Sequence, residues 1–209
     1  REYKIPYRVI GGQSFYDRRE GKDLLAYLQV IANPDDDINL LRIVNNPPRG
    51  IGATTVSLAS EKSREAGKSI FEILGDAGFQ QMLPGKSRAS VAGFVAFIDQ
   101  CRECMCGERA RYGMFFEQMV NEMDFVDYLR RTCRTDGERE QRTDNVTEFI
   151  CALRDYEGRQ GRNSLQKFLD DIALQQDREE DDIEKQVLSM AKRISEAYAK
   201  KIADVRSDP

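Results

Sequence analysis

Apolar side chains recur at intervals of three and four residues along most of this chain, in runs cut by glycine and proline. That period is the signature of helices with one buried face, and it leaves little room for a sheet protein. Leu24, Leu25, Leu28 and Ile31 form one such stripe, which Asn33-Pro34 stops. Asp35-Asp36-Asp37 opens a second predicted helix with Ile38, Leu41 and Val44 on its apolar face, ended by Asn45-Asn46-Pro47-Pro48. A third is predicted from Ala53 to about Ala66. Ser69-Ile70-Phe71-Glu72 has the form of a capping box for a short fourth helix.

Further along, Val91, Phe94, Val95, Ile98, Cys101 and Met105 line one face of a helix predicted over 86–106. Phe115, Phe116, Met119, Val120 and Met123 make another stripe. Thr135-Asp136-Gly137-Glu138, a second capping box, leads into Val146, Phe149, Ile150, Leu153 and Tyr156. Leu165, Phe168, Leu169 and Ile172 follow, with Asn163 or Ser164 as the cap. Ile183, Val187, Met190, Ile194, Ala197 and Ile202 continue the spacing. The exception lies at the start: residues 5–10 are β-prone and end at Gly11-Gly12, so at most one or two short strands are expected there. The expected fold is a mainly α, multi-helix domain. Its length of 209 residues, with 40% hydrophobic and 33% charged residues, suits a sizeable core under a well-solvated surface. No apolar run approaches the roughly 20 residues of a membrane span. Arg1-Glu2-Tyr3-Lys4 leads into a mixed segment without the apolar stretch of a signal peptide, so a cytoplasmic location without membrane contact is expected.

Several chemistries find no foothold. There is no histidine, which removes the commonest general base and imidazole metal sites. Cys101-x-x-Cys104-x-Cys106 has three thiols, with Cys133 and Cys151 on other segments, whereas a tetrahedral thiolate site wants four, usually as two pairs. Cys101 also continues an apolar stripe, so these cysteines are expected to be structural and no metal is expected. Three successive aspartates suggest a cation site, but carboxylates at a helix start complement its dipole. Gly67-Lys68-Ser69 and Gly85-Lys86-Ser87 match the end of a phosphate-binding loop. The glycine that the full pattern needs five residues earlier is Lys62 in one and Gln80 in the other. No catalytic residue is expected in this chain.

The informative segment is Asn45-Asn46-Pro47-Pro48-Arg49-Gly50-Ile51-Gly52-Ala53-Thr54-Thr55, between two predicted helices. Helix, short turn with Gly-apolar-Gly, helix is a helix-hairpin-helix-like arrangement. The glycines lack Cβ, so the turn can be tight and a nucleic-acid backbone can come close. Ile51 pins the turn into the core. Free amides at the next helix start point at a phosphate, aided by the helix dipole. Thr54 and Thr55 add hydroxyls and Arg49 adds charge. Such contacts position a protein on a duplex without reading sequence. The net charge of −4 does not favour binding by the whole surface, but a local patch is what matters. The alternative is an ordinary helix-helix turn that contains glycines.

The run Ile5-Pro6-Tyr7-Arg8-Val9-Ile10-Gly11-Gly12-Gln13-Ser14-Phe15-Tyr16-Asp17-Arg18-Arg19-Glu20-Gly21-Lys22-Asp23 resembles the region after motif IV in UvrD/PcrA/Rep-type helicases of superfamily 1. Leu25-Ala26-Tyr27-Leu28, Ile31-Ala32-Asn33-Pro34-Asp35-Asp36-Asp37 and Asn45 through Gly52 continue it in order. A looser likeness reaches about residue 182, through Arg142-Thr143-Asp144-Asn145-Val146-Thr147-Glu148-Phe149 and Leu165-Gln166-Lys167-Phe168-Leu169. The resemblance implies that residues 1–36 are the edge of the RecA-like domain 2A and 37–182 the helical subdomain 2B. Residues 183–209 read as an amphipathic tail unlike the family. Motif V is expected soon after 182, where Val187-Leu188-Ser189-Met190-Ala191-Lys192-Arg193 stands instead.

By the same resemblance, Arg49, Gly50, Ile51, Gly52, Thr54 and Thr55 are the duplex contacts. Some relatives carry a basic residue where Pro48 stands here. The P-loop, the DExx box and motif IV are implied to lie before residue 1, so this chain alone hydrolyses nothing. ATP and Mg2+ serve the intact ATP-dependent 3′-to-5′ helicase. Implied partners are duplex DNA and its junction with single strand, the rest of the helicase core, and repair or replication accessory proteins. The alternative function is a helical protein-interaction module with no DNA contact of its own.

Overall fold

The computed structural model describes residues 18–105, 111–160 and 165–174. The β-prone stretch at 5–10, the glycine pair after it, the cap at 163–164, Cys106 and the stripe at 183–202 lie outside the described residues. The chain divides into two units, Arg1–Gln166 and Lys167–Pro209.

The first unit carries α1 (Arg19–Ala32), α2 (Asp37–Ile43), α3 (Ala53–Ala66), α4 (Ile70–Gly75), α5 (Ala77–Met82), α6 (Gly85–Met105), α7 (Tyr112–Glu122), α8 (Phe125–Thr132) and α9 (Asp136–Gln160). Among the described residues there is no strand, as the helical spacing predicts. In the second unit residues 167–174 are helical, with Phe168, Leu169 and Ile172 buried. Among the described residues, no helix is long and apolar enough to cross a membrane.

α1 is the central strut of the first unit. Leu24, Tyr27, Leu28 and Ile31 are completely buried, and the helix packs against α2, α6 and α9. Asp23, itself buried, accepts from Arg42 Nε at 2.7 Å and so ties α1 to α2. On the opposite flank Asn145 of α9 donates to buried Glu20 and accepts from Arg18. α7 and α9 meet over Phe116 and Phe149, whose ring centres are 5.4 Å apart. Gly113 permits that approach: a Cβ there would stand 2.7 Å from Arg154 Cγ and 3.2 Å from Arg154 Cα.

The helix starts follow their sequence signals. Asp36 caps α2 by accepting from Asn39 N at 3.0 Å, and Asp37 reaches across to accept from Ile70 N at 2.8 Å. Ser69 and Glu72 form the full capping box of α4. Before α9 the box is shifted by one residue: Thr135 Oγ1 accepts from Glu138 N, while the Glu138 carboxylate accepts from Arg134 N.

Three expectations need correction. The buried face of α2 is Leu40 and Ile43, followed by Val44; Ile38 is 84% exposed and Leu41 43% exposed. Seven residues allow two apolar faces one step apart, and the packing of α1 and α4 selects the second. Phe115, Met123, Val95 and Tyr156 are only half-buried, at the edges of their stripes. α5 and α8 were not anticipated; α8 buries Phe125 and Leu129, four residues apart.

Candidate nucleic-acid interface

The segment between α2 and α3 forms a bend whose parts face in two directions. Ile51 is 1% exposed and plugs the bend into the core. The glycines on either side of it are exposed. Gly50 has φ +80°, the left-handed region that side chains resist, and a Cβ there would lie 3.2 Å from Ser90 Oγ on α6. Gly52 is different. Its φ of −77° suits any residue, and nothing lies within 4 Å of where its Cβ would be.

Gly52 is also the N-cap of α3, without a side-chain cap and without an acidic residue in the first turn. The first bond of the helix runs from Val56 N to Gly52 O at 3.1 Å. The amides just ahead of it belong to the unpaired donors that every helix start leaves. Ala53 and Thr54 are exposed beside Gly52. α2, α4 and α5 close their starts with Asp36, Ser69 and Asp76. α7 lacks both a cap and an acid, but its leading residues Tyr112 and Gly113 are buried. The α3 start therefore places N–H groups without a side-chain cap among exposed residues at the positive end of a fourteen-residue helix.

The predicted residues divide accordingly. Gly50, Gly52 and Thr54 are together on the surface; Ile51 and Thr55 are buried, the latter 7% exposed. Arg49 turns inward. Its Nη1 donates to Ile43 O at 3.0 Å and Pro47 O at 3.1 Å, and Nη2 donates to the Tyr27 hydroxyl and lies 3.3 Å from Met123 Sδ. The guanidinium carbon is 5.4 Å from the centre of the Phe94 ring, 5.6 Å from Tyr27 and 6.0 Å from Phe97. Its backbone N–H donates to Asn45 Oδ1 at 2.8 Å.

Tyr27 completes the arrangement by donating to Asn46 O at 2.7 Å. Burial pushes its phenol up to about 12, against the opposing pull of Arg49. Sequence reasoning missed Tyr27, Asn45 and Asn46. A signal existed for the first, because a tyrosine on the apolar face of a helix needs a partner for its hydroxyl.

The two Gly-Lys-Ser tripeptides and Cys101 have places in the helices. Gly67 is the left-handed C-cap of α3, Ser69 caps α4, and Gly85-Lys86-Ser87 is the first turn of α6. Cys101 is buried on α6, and burial drives its thiol up to about 12, which keeps it protonated and a poor ligand. Among the described residues no three metal-ligating side chains come together.

What fold and bend define is a multi-helix domain with an exposed, uncapped glycine corner built onto a buried core. Residues 1–191 match the family described as UvrD-like helicase C-terminal domain, and the chain belongs to that family. The match runs past residue 182. The ATP-dependent DNA helicases PcrA of Staphylococcus aureus and Staphylococcus epidermidis are each 33% identical to it over 189 residues, 89% of this chain and 25% of theirs. The chain thus spans about a quarter of the length of these relatives.

Proposed function

We propose that this chain is the DNA-gripping helical part of an ATP-dependent 3′-to-5′ DNA helicase, and that the Gly50–Thr55 bend is its contact with duplex DNA near the unwinding junction. The observation that carries the reading is the start of α3: exposed, uncapped, free of carboxylates and flanked by a glycine with open space in front of it. A phosphate suits that surface. It accepts from several amides at once, is favoured by the helix dipole, and needs the close approach that a missing Cβ allows. Thr54, exposed next to them, carries a hydroxyl for a further bond, while Ile51 and Thr55 are buried within the bend. Because only backbone groups and one hydroxyl take part, the grip is independent of base sequence.

In this reading residues 1–36 are the edge of the RecA-like domain 2A and 37–182 form the 2B subdomain. ATP and Mg2+ act elsewhere in the intact protein, in the cytoplasm, with repair or replication proteins as further partners. Division of labour follows from the chemistry: this part steadies the duplex while the motor pulls.

The test is a titration of the chain with a fluorescent duplex bearing a 3′ single-stranded tail, over a range of salt. Affinity that falls as salt rises is expected from phosphate contacts. Gly52→Val puts its side chain into open space, so the helical circular dichroism should persist while affinity drops about tenfold or more, ~1.4 kcal/mol. Unchanged binding by Gly52→Val combined with Thr54→Ala would falsify the assignment.

A further inference from the structure

We infer that Arg49 is a positioning residue that shapes the bend from inside and does not itself touch DNA. The inference rests on the bend being the DNA contact. A guanidinium has five N–H donors in a rigid plane. Here Nη1 is engaged by Ile43 O and Pro47 O, and Nη2 by the Tyr27 hydroxyl and Met123 Sδ. Three aromatic rings surround the plane within 6.0 Å. To reach a phosphate the side chain would have to leave all of these at once and strand two carbonyls beside a buried phenol. The free amides of α3 meet the same anion at no such cost.

The partners of Arg49 explain what it holds. Ile43 ends α2, and Pro47 stands two residues before Arg49 in the connection to the bend. Its own N–H closes a loop onto Asn45. Tyr27 belongs to α1 and also donates to Asn46 O. One fork therefore gathers the Ile43 and Pro47 carbonyls and fixes them to α1 through Tyr27, while Phe94 and Phe97 fix it to α6. The direction in which Gly50 and Gly52 face is set by that gathering. Lysine is no substitute, since a single ammonium on a flexible stem has no planar fork to bridge carbonyls and stack on rings.

The experiment separates charge from shape, using the 209-residue chain, the tailed duplex and a salt series. For a positioning residue, Arg49→Lys keeps the charge yet loses about tenfold in affinity, with the slope of affinity against salt retained. Tyr27→Phe, which is nearly isosteric and lies beneath the surface, weakens binding in the same direction. Amide hydrogen exchange at Asn46 and Arg49, whose N–H groups donate to Ile43 O and Asn45 Oδ1, quickens in both variants relative to the middle of α6. A contacting arginine gives the opposite set: Arg49→Lys binds like the unaltered chain, Arg49→Ala lowers the salt slope by about 0.9, and Tyr27→Phe has no effect. That set overturns the inference. If Gly52→Val loses binding while Arg49→Lys and Tyr27→Phe keep both binding and slow exchange, the inference alone fails. If the unaltered chain does not bind, or Gly52→Val binds as well as it does, the bend itself is misassigned and the inference goes with it.

Discussion

Two glycines separated by one residue carry opposite constraints. Gly50 is held by its own backbone at φ +80°, and Ser90 Oγ closes the space beside it. Gly52 has an ordinary φ and empty space in front. Gly50→Ala should therefore cost about 1–2 kcal/mol of stability, the usual charge for a side chain in the left-handed region. Gly52→Ala should cost less, roughly 0.5–1 kcal/mol, the difference between glycine and alanine at an N-cap position. Urea midpoints of the two variants check this; equal losses would mean that the two positions share one role. The pair was visible in the sequence as Gly-Ile-Gly, and so was the burial of Ile51. Their difference was not, because φ is decided by how α2 and α3 are joined, and no local pattern records it. The inward turn of Arg49 escapes the sequence for the same reason: beside two glycines and two prolines it sits in a loop-like string, and its aromatic cage is assembled from α1 and α6.

Among the helices, the starts were the most legible parts and the faces of the short ones the least. Asp36, Ser69 and Thr135 act locally, within a few residues of the amides they satisfy, so the sequence alone identifies them. A seven-residue helix such as α2 contains too little period to choose between the Ile38 and Leu40 faces. The choice is made by Asp37, which bonds Ile70 N, and by Arg42, which bonds Asp23. α8 carried a readable signal in Phe125 and Leu129, but eight residues between two stronger stripes conceal it. At this scale the sharpest prediction concerns α7 and α9. Gly113→Ala inserts a methyl 2.7 Å from Arg154 Cγ and near its Cα, so one helix must shift. A loss of about 1–3 kcal/mol is expected from such overpacking, read as a lowered thermal midpoint. No change would show that Arg154 swings aside freely.

For the whole first unit, alkaline stability follows from the buried phenol at its centre. Burial raises the Tyr27 pKa from 10.0 to about 12, so the folded chain holds that proton more tightly than the unfolded one. The stabilisation is complete below pH 10 and is lost as pH climbs from 10 towards 12, by roughly 3 kcal/mol at ~1.4 kcal/mol per unit. Denaturation curves across this range should show the decline, and Tyr27→Phe should remove the phenol's part of it while leaving the part due to Cys101, whose buried thiol is raised from 9.0 to about 12. A slope untouched by the substitution would mean that the phenol ionises without unfolding pressure.

The cage around Arg49 has a mechanical corollary. Tension applied through the Gly50–Gly52 corner is not met by a swinging hinge. It is divided at once among α1 through Tyr27, the end of α2 through Ile43, α6 through Phe94, and the turn after α7 through Met123. A corner fastened at four places yields late and abruptly, so under the proposed duplex grip a tethered duplex pulled against this chain should release at a narrow range of loads.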